Sequence, residues 1–101
     1  MILRQNSERV LNKLKRSPAV VLTGPRQCGK TTLARSLSDI AYFDLERDSD
    51  RLRLNVEWAN LVAAGQCIVL DEVQTMPELF PRLRGEIDEK RKTNGRFLLL
   101  G

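Results

Sequence analysis

The chain has 101 residues, 42% of them hydrophobic and 30% charged, with a formal net charge of +4. That length suits one domain, and the apolar content is enough for a core, which excludes a disordered tail. The basic excess is small and spread among 13 acids, so charge alone does not separate a nucleotide binder from a nucleic-acid binder or from an ordinary soluble surface.

Met1 to Arg16 sets Leu3, Val10, Leu11 and Leu14 among Arg4, Arg9, Lys13, Lys15 and Arg16, the pattern of an amphipathic helix that Ser17-Pro18 ends. There is no continuous apolar stretch after the basic start and no run of about twenty apolar residues. No secretory signal, membrane span or membrane partner is therefore expected, and cytoplasmic placement follows by default. The basic face reads as solvated helix surface; a nucleic-acid contact is possible but unsupported, since no aromatic residue is interleaved for stacking.

Ala19-Val20-Val21-Leu22-Thr23 is a β-branched apolar run and reads as a buried strand. Directly after it, Gly24-Pro25-Arg26-Gln27-Cys28-Gly29-Lys30-Thr31 meets the phosphate-loop pattern G-x-x-x-x-G-K-[ST] at every specified position. Thr31 to Ser38 then carries apolar residues at helical spacing, so the loop joins a strand to a helix. Gly24 and Gly29 permit the close backbone approach by which successive N–H groups surround phosphate oxygens. Lys30 adds a mobile positive charge at the β- and γ-phosphates and is a catalytic candidate, while the Thr31 hydroxyl is a candidate Mg²⁺ ligand. Pro25, Arg26, Gln27, Cys28 and Thr32 complete the candidate nucleotide-binding segment. The alternative, a glycine-containing turn that matches by chance, recurs on the order of a few times per thousand chains of this size.

The two cysteines, Cys28 and Cys67, show neither metal spacing nor a disulfide framework. Alkylation of Cys28, inside the loop, is expected to block nucleotide binding sterically.

Ile40-Ala41-Tyr42-Phe43-Asp44 predicts a second strand that carries Asp44 to its C-terminal end, with Glu46, Arg47 and Asp48 in a polar connection. From Ser49 to Ala64, Leu52, Val56, Ala59 and Ala63 repeat at helical spacing, and Leu54, Trp58 and Leu61 are also available. One or two helices covering the sheet are expected, stopped at Gly65. Trp58 reads as a packing residue rather than an adenine platform, because it belongs to the covering helices.

Cys67-Ile68-Val69-Leu70-Asp71-Glu72 is an apolar run ending in adjacent carboxylates, a buried parallel strand that delivers acids to its C-terminal end. Standing alone, the pair would read as two solvated loop acids. Behind a phosphate loop, Asp71 becomes a candidate Mg²⁺ ligand and Glu72 the group that orients and deprotonates an attacking water.

Val73 to Pro77 leaves the sheet, with Gln74 either a polar contact to nucleotide or partner or a satisfied loop amide. Glu78 to Asn94 predicts a helix restarting at Pro81, with Leu83 and Ile87 inward, outward pairs Glu86–Lys90 and Asp88–Lys92, and a stop at Asn94-Gly95. Lys90-Arg91-Lys92 suits a helix C-terminus. Arg96 to Gly101 predicts a fourth strand, on which the sequence ends without a helix to cover it.

Taken together, Leu22 to Leu33, Tyr42-Phe43-Asp44-Leu45-Glu46, Leu70-Asp71-Glu72-Val73-Gln74 with Pro77 to Pro81, and Gly95 to Gly101 resemble the N-terminal part of bacterial and archaeal AAA-type ATPases. The resemblance implies an α/β fold, the P-loop NTPase three-layer sandwich with a mostly parallel sheet, incomplete at the C-terminal side. It would divide residues 1–101 into a leading helix (1–17) and a nucleotide-binding core (18–101), with strand order 5-1-4-3-2. Lys30 and Thr31 match the family's Walker A phosphate and magnesium positions, and Asp71 and Glu72 its Walker B metal and water-activating positions. ATP and Mg²⁺ are the cofactors implied. The family's sensor residue, lid and arginines, the last often supplied by a neighbouring subunit, would lie beyond Gly101, which is compatible with a homo-oligomer of the intact protein and implies inefficient hydrolysis by this chain alone.

The expected function is ATP binding, with Mg²⁺-dependent hydrolysis in the intact protein. A nucleotide-gated switch or scaffold with little turnover is the alternative from another class. A small-molecule P-loop kinase lacks an evident acceptor-binding segment, and the 41 positions from Lys30 to Asp71 fit a compact ATPase sheet, whereas in the helicases that the Asp71-Glu72-Val73-Gln74 run resembles the two motifs lie much farther apart. The absence of a guanine-reading Asn-Lys-x-Asp element favours ATP over GTP.

Overall fold

Runs of four or five consecutive apolar residues are too short for helices but suit strands buried on both faces. In the computed structural model, which describes residues 12–22, 40–90 and 92–101, four such runs become β1 (Ala19–Leu22), β2 (Ile40–Asp44), β3 (Cys67–Asp71) and β4 (Phe97–Leu100). They form one sheet in the order β1-β4-β3-β2, every pair parallel. This is the described part of the order implied by the resemblance, and the α/β class with a parallel sheet is as expected.

Side chains alternate between the two faces of a strand. Ile68, Leu70, Phe97, Leu99 and Phe43 enter one core with Leu54, Leu79 and Leu83. Val69, Leu98, Leu100 and Val20 enter a second core on the other face, with Leu14 from the helical residues 12–16. The rest of the expected leading helix lies outside the described residues, as does the helix expected from Thr31 to Ser38.

The first core is covered by α1 (Asp48–Ala64) and α2 (Leu79–Glu89). Helix α1 begins with Asp48 and Asp50 in its first turn, where acids suit the helix dipole, and ends at Gly65 with φ 79°, the left-handed cap that glycine adopts without strain. The expected covering stripe is corrected here. Leu52 and Val56 are 66% and 73% exposed, and Ala59 and Ala63 also face outward. Leu54 is the buried residue, and Trp58, Leu61 and Val62 pack beside it. The reason is area: these side chains remove more apolar surface from water than a stripe that is half alanine. Trp58 stacks on Phe97, ring centroids 6.2 Å apart, and the Arg82 guanidinium lies over the Trp58 ring, 5.2 Å from its centroid. It is a packing residue, as expected.

Helix α2 also departs from expectation. Pro81 is its third residue and causes no restart, because the first N–H groups of a helix have no intrahelical acceptor to lose. The helix stops at Glu89, with Lys90 as its cap, so Lys92 lies beyond it and cannot form the expected pair with Asp88. Asn94 and Gly95 shape the turn into β4 instead: Asn94 Nδ2 donates to the Lys15 carbonyl at 2.9 Å, and Gly95, with φ 70°, donates its N–H to the Ser17 carbonyl at 2.9 Å. Glu86 does not pair outward with Lys90. Its Oε1 accepts from the buried Arg96 guanidinium at 2.9 Å, and its carbonyl accepts from the same group at 2.8 Å, tying α2 to the start of β4.

Candidate functional site

Parallel strands deliver their C-terminal residues to a single edge of the sheet. Leu22 stands in register with Leu100, Leu100 with Asp71, and Asp71 with Asp44. At about 4.8 Å between neighbouring strands, the end of β1 lies roughly 10 Å from the end of β3, with β4 between them. Residues 24–32, the whole candidate phosphate-loop segment including Lys30 and Thr31, lie outside the described residues.

Asp71 closes β3 with 7% of its surface exposed. A carboxylate so enclosed needs hydrogen-bond donors, and Tyr42 on β2 donates its phenolic O–H to Asp71 Oδ2. Register explains the reach: Tyr42 lies opposite Val69, so Asp71 is its diagonal neighbour on the same face, a spacing that an aromatic side chain spans. Tyr42 is the site residue that sequence reading overlooked; the available signal was an aromatic two positions before the end of a strand predicted to run parallel to the acid-bearing one.

Directly after the strand, Glu72 adopts φ 56° and ψ 46°, the sole positive φ of a non-glycine residue among those described. A residue other than glycine in this region costs about 1–2 kcal/mol. Thr75 holds the kink. Its N–H and Oγ1 donate to the Glu72 carbonyl at 3.0 and 2.7 Å, and Oγ1 also reaches the Leu45 carbonyl at 3.1 Å. Arg51 of α1 donates to the carbonyls of Leu45 and Thr75. The turn carrying Glu72 is thereby fastened to the β2–α1 junction. Glu72 itself is 9% exposed, and its Oε1 accepts from Gln74 Nε2 at 2.6 Å.

Asp44, though in register with Asp71, faces a different neighbour: its carboxylate lies 3.7 Å from the Arg47 guanidinium, and its N–H donates to Asp50 Oδ2 at 2.8 Å. Cys67 occupies the opposite end of β3, about 13 Å along the strand from Asp71. Burial pushes its thiol up from 9.0 to about 11, the behaviour of a packed, unreactive cysteine. Cys28 lies outside the described residues.

The donor set suits Mg²⁺, a hard ion that takes oxygen ligands. Among the described residues no three His, Cys, Asp or Glu side chains gather as a metal cage. An ion shared with phosphate oxygens requires only one or two protein ligands, and Asp71, enclosed and oriented by Tyr42, has the chemistry of one. No helix among the described residues is long and apolar enough to cross a membrane.

Comparison with known proteins agrees with this architecture. Two uncharacterized proteins, Mb2031c of Mycobacterium bovis and Rv2008c of Mycobacterium tuberculosis, are each 42% identical over 101 residues, 97% of this chain. The chain spans 23% of the length of each relative. No solved structure matches it. A family model described as "AAA domain" matches residues 16–101. Because that match takes in all four strands and everything between them, the chain belongs to the AAA domain family and with it to the P-loop ATPases.

Proposed function

We propose that this protein binds Mg²⁺-ATP through residues 24–32 together with Asp71, and that in its intact form it hydrolyses the nucleotide to ADP and phosphate with Glu72 as general base. The observation that carries the reading is the edge itself: two nearly buried acids, each with a hydrogen-bond donor of its own, stand where β1 also ends, and Gly24 follows β1 by two positions in the chain. Membership in a family of nucleotide-binding ATPases supports it.

The residues divide the work by chemistry. Gly24 and Gly29 admit phosphate oxygens to backbone N–H groups, and Lys30 adds charge at the terminal phosphates. Thr31 and Asp71 would hold the Mg²⁺ ion, which when bound neutralises charge developing on the phosphate oxygens. Tyr42 keeps the Asp71 carboxylate oriented and its enclosed oxygen satisfied. Glu72 accepts a proton from water, general-base help of roughly a hundred- to ten-thousand-fold.

Thermal melting with Mg²⁺-ATP, Mg²⁺-GTP or no nucleotide, beside Lys30→Ala, tests the binding half. At a hundred times the dissociation constant, ATP should add about 2.7 kcal/mol to the folded state, and Lys30→Ala should abolish the shift. A well-folded protein whose melting ignores ATP would end the proposal.

A further inference from the structure

We infer that Thr75 is a positioning residue for Glu72, with Arg51 as its support: together they clamp the left-handed backbone from which the Glu72 side chain springs. The inference rests on the hydrolytic reading above and adds to it the device that sets where the general base stands.

A strand that ran on through Glu72 would send its side chain to the face opposite Asp71. At φ 56° and ψ 46° the residue leaves that alternation, so the direction of its Cα–Cβ bond is set by the two peptide planes that meet at Glu72 Cα. Both planes are held through their carbonyls. In the plane before Glu72, the Asp71 carbonyl accepts from the Leu45 N–H at 3.0 Å. In the plane after it, the Glu72 carbonyl accepts from the Thr75 N–H at 3.0 Å and from Thr75 Oγ1 at 2.7 Å. Fixing both planes fixes φ and ψ together, whatever the carboxylate itself touches. That is how a sparsely populated conformation persists.

The two holds are joined at Leu45, a residue with no exposed surface just beyond β2. Its N–H serves the first plane, and its carbonyl lies 3.1 Å from the same Thr75 hydroxyl that serves the second. A hydroxyl has a single proton for these two carbonyls. Arg51 makes up the shortfall: Nε donates to the Leu45 carbonyl, while Nη2 donates to the Thr75 carbonyl at 3.3 Å. One guanidinium thus spans the β2–α1 junction and the turn, a reach that suits its fork of donors. Arg51 ranks second, because Thr75 keeps its bonds to Glu72 without it. Removing the Thr75 hydroxyl orphans neither carbonyl, since Glu72 retains the Thr75 N–H and Leu45 retains Arg51. Thr75→Val, of nearly the same shape, therefore loosens the second plane in a chain that still folds.

The test is ATP turnover by the intact protein and its Thr75→Val, Thr75→Ser and Arg51→Met variants. Thr75→Val is repeated in a Glu72→Gln background, where single turnovers follow the slow phosphate release. A displacement of about 1 Å can cost roughly a hundredfold in rate, and a loosened plane moves the base by less. Thr75→Val should therefore lower kcat roughly tenfold and leave KM for ATP unchanged. Thr75→Ser, which keeps the hydroxyl, should recover most of that loss. Arg51→Met, which keeps the stem without its donors, should lower kcat by less than Thr75→Val. In the Glu72→Gln background Thr75→Val should cost nothing further, because no base is left to place, whereas a merely structural role would lower the rate equally in both. Wild-type kcat in Thr75→Val, a rise in KM alone, no recovery in Thr75→Ser, or an equal loss in the Glu72→Gln background would overturn the inference while leaving the hydrolytic reading intact. Turnover of Glu72→Gln equal to that of wild type, or an intact protein that releases no phosphate, would overturn the hydrolytic reading and the positioning role together.

Discussion

Leu70 and Asp71 are adjacent in β3 and both are buried, yet they are held by different physics. Leu70 points into the core beneath α1 and α2, where it and Phe97 have no exposed surface and are surrounded by Phe43, Leu54, Leu79 and Leu83. Asp71 points to the other face at the sheet's C-terminal edge, where a phenol keeps its carboxylate. The covered face tolerates a change of shape poorly and a polar group worse. The edge is held by hydrogen bonds drawn from three elements: Tyr42 from β2, Thr75 and Gln74 from the turn, and Arg51 from α1. The comparison teaches that the packed face sets stability, whereas the edge spends some stability, in the left-handed Glu72 and two enclosed acids, to hold the candidate site residues in place.

The strongest way to break that division is Glu72→Gln. The amide keeps an oxygen to accept from Gln74, so stability should move by no more than about 0.5 kcal/mol, while turnover in the intact protein should fall roughly a hundred- to ten-thousand-fold with ATP affinity retained. Phosphate release, nucleotide titration and melting would be read on one preparation. Turnover equal to wild type would remove Glu72 from the mechanism.

On the packed face the opposite pattern is expected. Phe97→Ala removes the ring that stacks on Trp58 and receives the Arg96 guanidinium at 5.1 Å, and should cost about 3–5 kcal/mol in urea unfolding. Phe97→Leu provides a folded intermediate case. Its affinity for ATP, measured well below its melting temperature, should match wild type. Weakened binding in folded Phe97→Leu would show that the two regions are not separable.

Tyr42→Phe tests the boundary, since Tyr42 belongs to the second core by its ring and to the edge by its hydroxyl. Packing is retained and Asp71 loses a donor. The Mg²⁺ concentration needed for half-maximal nucleotide binding should rise roughly tenfold, the scale on which partners of metal ligands act. A melting change without any change in Mg²⁺ dependence would assign the phenol to structure alone.

These contrasts also explain what was legible beforehand. β2 runs from Ile40 to Asp44 as expected, and β3 ends at Asp71, because strands buried on both faces write themselves as unbroken apolar runs closed by a polar residue. The strand order came from family resemblance, as no local pattern encodes which strand neighbours which. Where two local patterns competed, tertiary packing decided: α1 contains two apolar stripes, and the one with Leu54, Trp58 and Leu61 faces the sheet. The pairing of Glu86 with Arg96, ten positions on, and of Tyr42 with Asp71 joins different elements, so spacing along one helix or strand could not show it. In the candidate site, the positions of Asp71 and Glu72 at a strand end follow from their motif, while the left-handed turn and its Thr75 and Arg51 fastenings do not, because they depend on where β2 hands over to α1.

The smallest expected effect separates the two ends of β3. Cys67 is at the far end from the acids, and burial raises its thiol to about 11. The folded chain therefore keeps the thiol proton to higher pH than the unfolded chain, which loses it above the ordinary 9.0. The unfolded state binds fewer protons in that interval, so this contribution is fully present below pH 9 and fades as pH rises toward 11. Because the site is partly open to solvent, the loss should amount to only about 1 kcal/mol. Urea midpoints of wild type and Cys67→Ala, compared from neutral pH to the alkaline limit, isolate it from the lysines and tyrosine that titrate in both. The stability advantage of wild type should shrink across the interval while Mg²⁺-ATP affinity at neutral pH is the same in both proteins. Parallel stability curves would mean that the thiol is not shielded in the folded chain, and a loss of affinity in Cys67→Ala would mean that the packed end of β3 reaches the acids after all.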